Sequence, residues 1–433
     1  MTTASPRSVA PPALSGVATA ELFGAFAAAY FLAAMLRGVT ATLAPDFSAE
    51  LGLGAADLGL LAGAFFLGFA AMQLPLGSAL DRYGPRRVLV AFLLLAVAGC
   101  AAFASARTFA GLTVARALIG VGLSAALMAP MTAFRHRFTP AAQMRANSWM
   151  LMTGSLGMVA STLPTRALLP LFGWRGLFWA CAAALAVATL AIATRVPRDS
   201  PREPDPDDGH QAGYAAIFRH PTFQRFAPLG FFHYGGLIAV QSLWAGPWLA
   251  EVSGFDATAA ARGLFAINVA MLVAFSSWGA VVPSLYRRGW GAPGIVRGGA
   301  PLAIAALVTI VWLGSAAGPW HWALFCVCCT STALLQPALA LSFAPSLAGR
   351  ALSAYNLVVF SGVFVLQWGL GLCIDGFRSV GWSTLSAYRG SFALLAGCYV
   401  LSYLWFLWRV GPPPSPNPGS RPTTADNPPP CPE

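Results

Sequence analysis

The chain has 433 residues, of which 57% are hydrophobic and 9% charged, and it carries a formal net charge of +11. Charged residues run near ~25% in soluble domains, so this composition excludes a soluble globular protein and reads as a membrane-embedded chain. All 26 basic residues are Arg and none is Lys, which excludes a lysine-dependent phosphate loop and a lysine Schiff base, so ATP hydrolysis within this chain does not drive its work.

Residues 1–17 are rich in Ser, Thr, Pro and Ala with a single Arg7, and are read as a short disordered cytoplasmic tail, not a cleaved signal peptide. Apolar runs follow at 18–44, 58–79, 88–106, 108–134, 146–171 and 176–195, then at 226–250, 259–285, 294–315, 320–344, 351–377 and 389–409. Each is near the ~20 residues that a helix needs to cross a bilayer, so the spacing predicts an all-α membrane protein with twelve spans. The interruption at 196–224 is dense in Pro, Asp and Arg and reads as a solvated linker. It separates a six-helix bundle over 18–195 from a second over 225–409, and residues 410–433, rich in Pro, are expected to be a disordered cytoplasmic tail.

Counting Arg sets the orientation. With both termini inside, cytoplasmic segments take eighteen Arg and outer loops five, the bias that the positive-inside rule requires. No basic cluster carries the interleaved aromatics of a nucleic-acid surface. The expected partners are therefore the bilayer and a small molecule, with the protein a monomer. The eight Cys lie mostly in apolar runs, and Cys326-x-Cys328-Cys329 has no His or carboxylate at ligand spacing, so neither a disulfide framework nor a metal or other cofactor is expected.

Between the second and third runs stands Gly77-Ser-Ala-Leu-Asp81-Arg82-Tyr-Gly84-Pro85-Arg86-Arg87. A Gly-Pro turn carrying one Asp and three Arg belongs at the membrane face, not in lipid. A worn copy recurs 205 residues on, with Arg287 over Arg82, Gly289 over Gly84 and Tyr286 where Asp81 stands. Arg145-Ala146 followed by Gly157 likewise answers Arg350-Ala351 followed by Gly362. One offset shared by separate features predicts two related halves, an arrangement that puts a substrate site between them.

The loop resembles the signature of the major facilitator superfamily. Arg116-Ala-Leu-Ile-Gly120-Val-Gly122 resembles that family's fourth-helix motif, and Gly173-Trp174-Arg175 its junction between spans five and six. The resemblance implies a secondary transporter, not an enzyme, with two pseudo-symmetric six-helix bundles and alternating access. It also implies a latch in which Asp81 faces the amino end of span eleven near Arg350, with Gly77, Arg82, Gly84, Arg86 and Arg87 completing it. Intramembrane ionisable groups are costly and mark function. Arg37 and Arg116 stand at matching depth, on helices that the resemblance places at the central cavity. With no carboxylate to answer them, they read as an anion site.

Tyr30-Phe-Leu-Ala-Ala-Met-Leu-Arg37 followed by Pro45 is similar to the first helix of the organophosphate:phosphate antiporters, where an Arg so placed grips the substrate. Span seven offers no second Arg but His233, Tyr234, Gln241 and Trp244, so a monoanion such as a carboxylate fits better than a doubly charged phosphate. Tyr30, Gln336 and Gln367 complete the expected substrate contacts, and His233 stands as a carrier for a coupling proton. The expectation is a small organic anion; the rivals are efflux of an amphipathic drug, and a sensor that keeps the fold without flux.

Overall fold

The structure is a computed structural model that describes residues 16–197 and 213–409. The expected tail before residue 16, stretch 198–212 of the expected linker and the tail from 410 lie outside the described residues. Helices account for nearly all of the rest, with no strand among the described residues.

The first half comprises α1 (Gly16–Leu51), α2 (Ala55–Ala71 and Gln73–Tyr83, bent by 46°), α3 (Pro85–Ser105), α4 (Phe109–Leu123 and Ala125–Arg137), α5 (Pro140–Ala160) and α6 (Leu163–Arg195). The second comprises α7 (221–252), α8 (Ala257–Arg287), α9 (Ala292–Leu313), α10 (Pro319–Ala340), α11 (Pro345–Ser379) and α12 (Thr384–Trp408). Nine helices among the described residues are long and apolar enough to span a membrane, and the bent α2 makes ten. The remaining two segments, α5 and α7, fall short for physical reasons. Gln143, Asn147, Ser148, Thr153 and Ser155 dilute α5. In α7, π-helical turns at Gly230–Tyr234, Val240–Trp244 and Trp248–Val252 interrupt the α-helical ones.

Several boundaries differ from the sequence expectation. Helix α1 does not stop at 44 but runs through Pro45 to Leu51, so Asp46 and Glu50 are helical, not loop, residues. The extension is held from outside. Arg166 pairs with Asp46 at 2.7 Å, Trp174 Nε1 donates to Glu50 at 2.6 Å, and Arg175 closes on the same carboxylate. The span expected to reach 171 ends instead at Ala160, and α6 starts at Leu163 with Pro164 in its first turn. Gly173 then kinks α6 at φ 61°, a left-handed conformation that glycine adopts without strain. The expected linker is also partly structured. A short helix, Tyr214–Arg219, buries Ile217, and Pro221 opens α7 behind the cap residue His220.

The internal repeat is visible in backbone geometry. Gly84 and Gly289 both turn the chain at positive φ, 80° and 83°. A methyl group on Gly157 of α5 would stand 2.3 Å from the Phe31 carbonyl oxygen of α1, and one on Gly362 of α11 would stand 2.4 Å from that of Phe231 in α7. Only glycine allows so close a helix approach.

The two halves close on each other at the end bearing Ala55 and Asp375. A methyl on Gly59 of α2 would lie 2.3 Å from the Gln367 carbonyl oxygen of α11, and one on Gly246 of α7 would lie 2.4 Å from that of Ala41 in α1. At the other end, which bears Asp81, α5 and α8 splay apart. No residue from Leu272 to Gly291 is buried, and Met144 and Trp149 of α5 are exposed.

Candidate functional site

Sealing one end and spreading the other leaves a cavity of about 730 Å³ between the halves. It runs from the level of Arg37, Met158 and Gln241 toward the Asp81 end, where Trp149 and Phe275 stand at its exposed margin. Its walls come from both halves: α1, α2, α4 and α5 on one side, α7, α8, α10 and α11 on the other. Its apolar lining includes rings and methionines, among them Phe65, Phe69, Phe360, Met128, Met152 and Met271.

Among the described residues lining this cavity, Arg37 is the one charged side chain. It is half-buried and has neither a hydrogen-bond acceptor nor a carboxylate partner among the described residues. It stands fourteen residues before the end of α1, deeper than the run ending at 44 implied. Tyr30 and Tyr234 line the same space, and Tyr234 stands near enough to both Tyr30 and Arg37 to interact electrostatically with each. A guanidinium in an apolar chamber without a counter-ion attracts an anion that supplies one, since a desolvated charge left unpaired is costly.

Two hydrogen-bonded carboxamide pairs face the cavity from the second half. Gln241 Nε2 donates to Asn268 Oδ1 at 2.8 Å, joining α7 to α8, and Gln336 Nε2 donates to Asn356 Oδ1 at 2.7 Å, joining α10 to α11. Gln241 sits in a π-helical turn of α7, a distortion that often marks functional sites. Thus Arg37, Tyr30, Gln241 and Gln336 from the sequence expectation meet in one cavity. Sequence reasoning missed Asn268 and Asn356, although an Asn inside an apolar run was itself a signal.

Four expected contacts lie elsewhere. Arg116 is 1% exposed and does not line the cavity. Its Nη1 donates to the Leu36 carbonyl at 3.0 Å, its Nη2 to the Thr40 hydroxyl, and its guanidinium lies over the Phe65 ring, 5.4 Å from the centroid. A carbonyl keeps a second lone pair for such a donor, so Arg116 braces α1 at the residue beside Arg37 instead of facing substrate. His233 turns toward α12: its Nε2 donates to the Tyr399 carbonyl at 3.1 Å and its ring stacks on Tyr399. Trp244 is buried and donates to the Gln367 carbonyl at 3.2 Å; Gln367 in turn donates to Ser242 at 3.0 Å. Both tie α7 to α11 beside the sealed end. Spacing alone does not fix helix rotation, and Arg116 is turned toward α1 and away from the cavity that Arg37 lines.

The loop residues stand at the open end. Gly77 passes α11 at Ser353. One turn later Asp81 is exposed and has no ion-pair or hydrogen-bond partner among the described residues, and Arg350 is half-buried without a carboxylate. Gly84 makes the turn at φ 80°, Arg82 lies over the Tyr83 ring at 5.3 Å, Arg86 donates to the Ala193 carbonyl of α6, and Arg87 is exposed. Among the described residues, no hydrogen bond or ion pair joins Asp81 to the start of α11 in this conformation.

A cavity between two repeated helical halves, sealed at one end and open at the other, fits a membrane transporter. The family model of the Major Facilitator Superfamily matches residues 26–367, and the chain belongs to that family of secondary transporters. A probable sulfoacetate transporter of Cupriavidus necator is 27% identical over 250 residues, 54% of this chain and 58% of that protein. A 4-hydroxybenzoate transporter of Pseudomonas aeruginosa is 32% identical over 136 residues, 31% of this chain and 30% of that one. The matched regions thus span well under two thirds of these relatives' lengths. Among solved structures, a bacterial homologue of the human lysosomal transporter Spinster, in an inward-facing and unoccupied conformation, superposes with a TM-score of 0.73 at 18% identity, covering 92% of this chain and 98% of that one. A D-xylose–proton symporter gives 0.69 at 15% identity, covering 92% and 97%. These likenesses concern the fold.

Proposed function

We infer that this transporter moves a small organic anion across the bacterial inner membrane by alternating access, with Arg37 as the group that holds the anion. The observation that carries this reading is the unpaired Arg37 guanidinium, alone in charge among the described lining residues of a chamber between the two halves. The relatives support an anionic cargo: one is named for sulfoacetate and the other for 4-hydroxybenzoate. Of these two, 4-hydroxybenzoate carries one negative charge and sulfoacetate two; with Arg37 the one cation among the described lining residues, the chamber matches the monoanion better, because a second charge would stand uncompensated in a low-dielectric site.

The excess of Arg at the Asp81 end makes that face cytoplasmic, with both termini inside and the structure representing the state open to the cell. Asp81 then serves the opposite state. When the cytoplasmic ends close, its carboxylate meets the amino end of α11, where the exposed amides and helix dipole favour an anion. This reading takes the protein as a monomer, since the lining of the cavity and the residues assigned to the latch all belong to one chain.

Uptake into proteoliposomes tests this reading. Labelled benzoate, lactate and sulfoacetate are offered beside the lipophilic cation tetraphenylphosphonium. Saturable entry of at least one anion, and none of the cation, is the expected outcome. Entry of the cation alone would support drug efflux, and no flux of any of them would leave a sensor as the better reading.

A further inference from the structure

The residues that line the cavity change character in order along its depth, and that order names a cargo more closely than its charge does. Arg116 fixes the level of Arg37: it bonds the Leu36 carbonyl next door while lying over Phe65, so Arg37 and Phe65 share a height. One turn toward the open end, Phe69 of α2 meets Phe360 of α11 with ring centroids 4.4 Å apart, and Phe65 stacks on Phe69 at 6.1 Å. Ser353 of α11 faces Gly77 of α2, so Asn356, between Ser353 and Phe360, lies near the level of Gln73. From Phe65 to Gln73 the rise is about 12 Å. Arg37 and the Gln336–Asn356 pair thus line one cavity at levels about 12 Å apart, an interval that a molecule one ring long with a polar group at each end can bridge. Phe65, Phe69 and Phe360 wall the interval on the side of α2 and α11, a cation lies toward its sealed end, and the Gln336–Asn356 pair toward its open end.

That pair is only partly used by the protein. One Gln336 N–H is spent on Asn356 Oδ1. Gln336 Oε1 and Asn356 Nδ2 have no partner among the described residues, and neither is sealed away from the cavity. A free carboxamide oxygen beside a free carboxamide N–H donates and accepts at one place, which is what a hydroxyl needs, since it does both. A second carboxylate there would find dipoles but no neutralising charge.

Resting on the anion reading above, we propose that Gln336 and Asn356 form a neutral subsite that selects a monoanion with a flat apolar body and an uncharged hydrogen-bonding group at its far end. Arg37 takes the charge, Phe65, Phe69 and Phe360 take the body, and the carboxamide pair takes the hydroxyl. The pair thereby discriminates against dianions of the same length.

Four probes of nearly equal size, with lactate as a ring-free anion beside them, test this in the purified full chain: benzoate, 4-methylbenzoate, 4-hydroxybenzoate and terephthalate, with affinity read from ligand-induced thermal stabilisation. One well-made neutral hydrogen bond is worth about tenfold in affinity. The 4-hydroxy compound is therefore expected to bind about tenfold more tightly than the 4-methyl one, and terephthalate more weakly than benzoate. In the Gln336→Leu/Asn356→Leu double variant, which removes both partners together, the hydroxy-to-methyl ratio should fall to about one. Binding of benzoates with no preference for hydroxyl over methyl in the wild type would overturn the subsite alone. Binding of lactate but no benzoate would overturn the ring-shaped cargo and keep the anion. A wild type that binds no anion overturns the reading on which the subsite rests.

Discussion

Asp375 of α11 caps α2 across the interface between the halves: its Oδ2 lies 2.7 Å from the Ala56 amide nitrogen and its Oδ1 3.2 Å from that of Ala55. The first amides of a helix have no intrahelical acceptor, and the helix dipole favours an anion there. The antiparallel pair α2 and α11 thus carries an acid at each end. Asp375 holds the start of α2 at the sealed end, while Asp81 stands unpaired at the open one. Removing Asp375 should loosen the seal. With spin labels at the exposed positions Ala49 and Val380, Asp375→Ala is expected to populate longer distances than the wild type; an unchanged distribution would deny Asp375 a latching role.

Asp81 is predicted to act on the other state. Asp81→Asn keeps the cavity intact and removes the charge that would meet the start of α11. Transport rate should fall several-fold while the affinity read by thermal stabilisation stays within about twofold. Lost affinity at normal rate would contradict the assignment.

The close approach of α2 and α11 predicts sensitivity at Gly59. A methyl there would meet the Gln367 carbonyl oxygen at 2.3 Å, whereas one on Gly24 of α1 meets nothing within 4 Å. Gly59→Ala should cost about 1–3 kcal/mol through overpacking, visible as a lowered melting temperature in detergent. Gly24→Ala should leave the melting temperature unchanged or raise it slightly.

Arg116 and Arg37 should separate cleanly by substitution. Arg116→Lys keeps the charge but loses the planar fork that reaches both the Leu36 carbonyl and Thr40. It is expected to destabilise the fold by about 1–3 kcal/mol through the orphaned partners. Arg37→Gln, facing the cavity, should leave the melting temperature nearly unchanged and remove the anion-dependent part of its increase.

The fold was legible in the sequence because its signals are one-dimensional. Run length gives spans, and the offset of 205 that joins Gly84 to Gly289 reappears as two matching left-handed turns. The site was legible in part. Arg37 stood out as a charge in an apolar run, and it does line the cavity. Arg116 stood out for the same reason and does not, since which face of α4 meets α1 depends on packing between helices far apart in the chain. The Gln241–Asn268 and Gln336–Asn356 pairs were hidden because each joins two helices whose register no local pattern records. The run of α1 past Pro45 was hidden likewise, since Asp46 and Glu50 are held by Arg166, Trp174 and Arg175 of α6.

The most direct test of the account is uptake of labelled 4-hydroxybenzoate by proteoliposomes holding the wild type or Arg37→Gln, at equal reconstituted protein. Loss of a charge-assisted contact of about 2–3 kcal/mol should lower kcat/KM by about 30- to 150-fold. Uptake by Arg37→Gln at the wild-type rate and affinity would contradict the account, because the one cation among the described lining residues would then hold nothing.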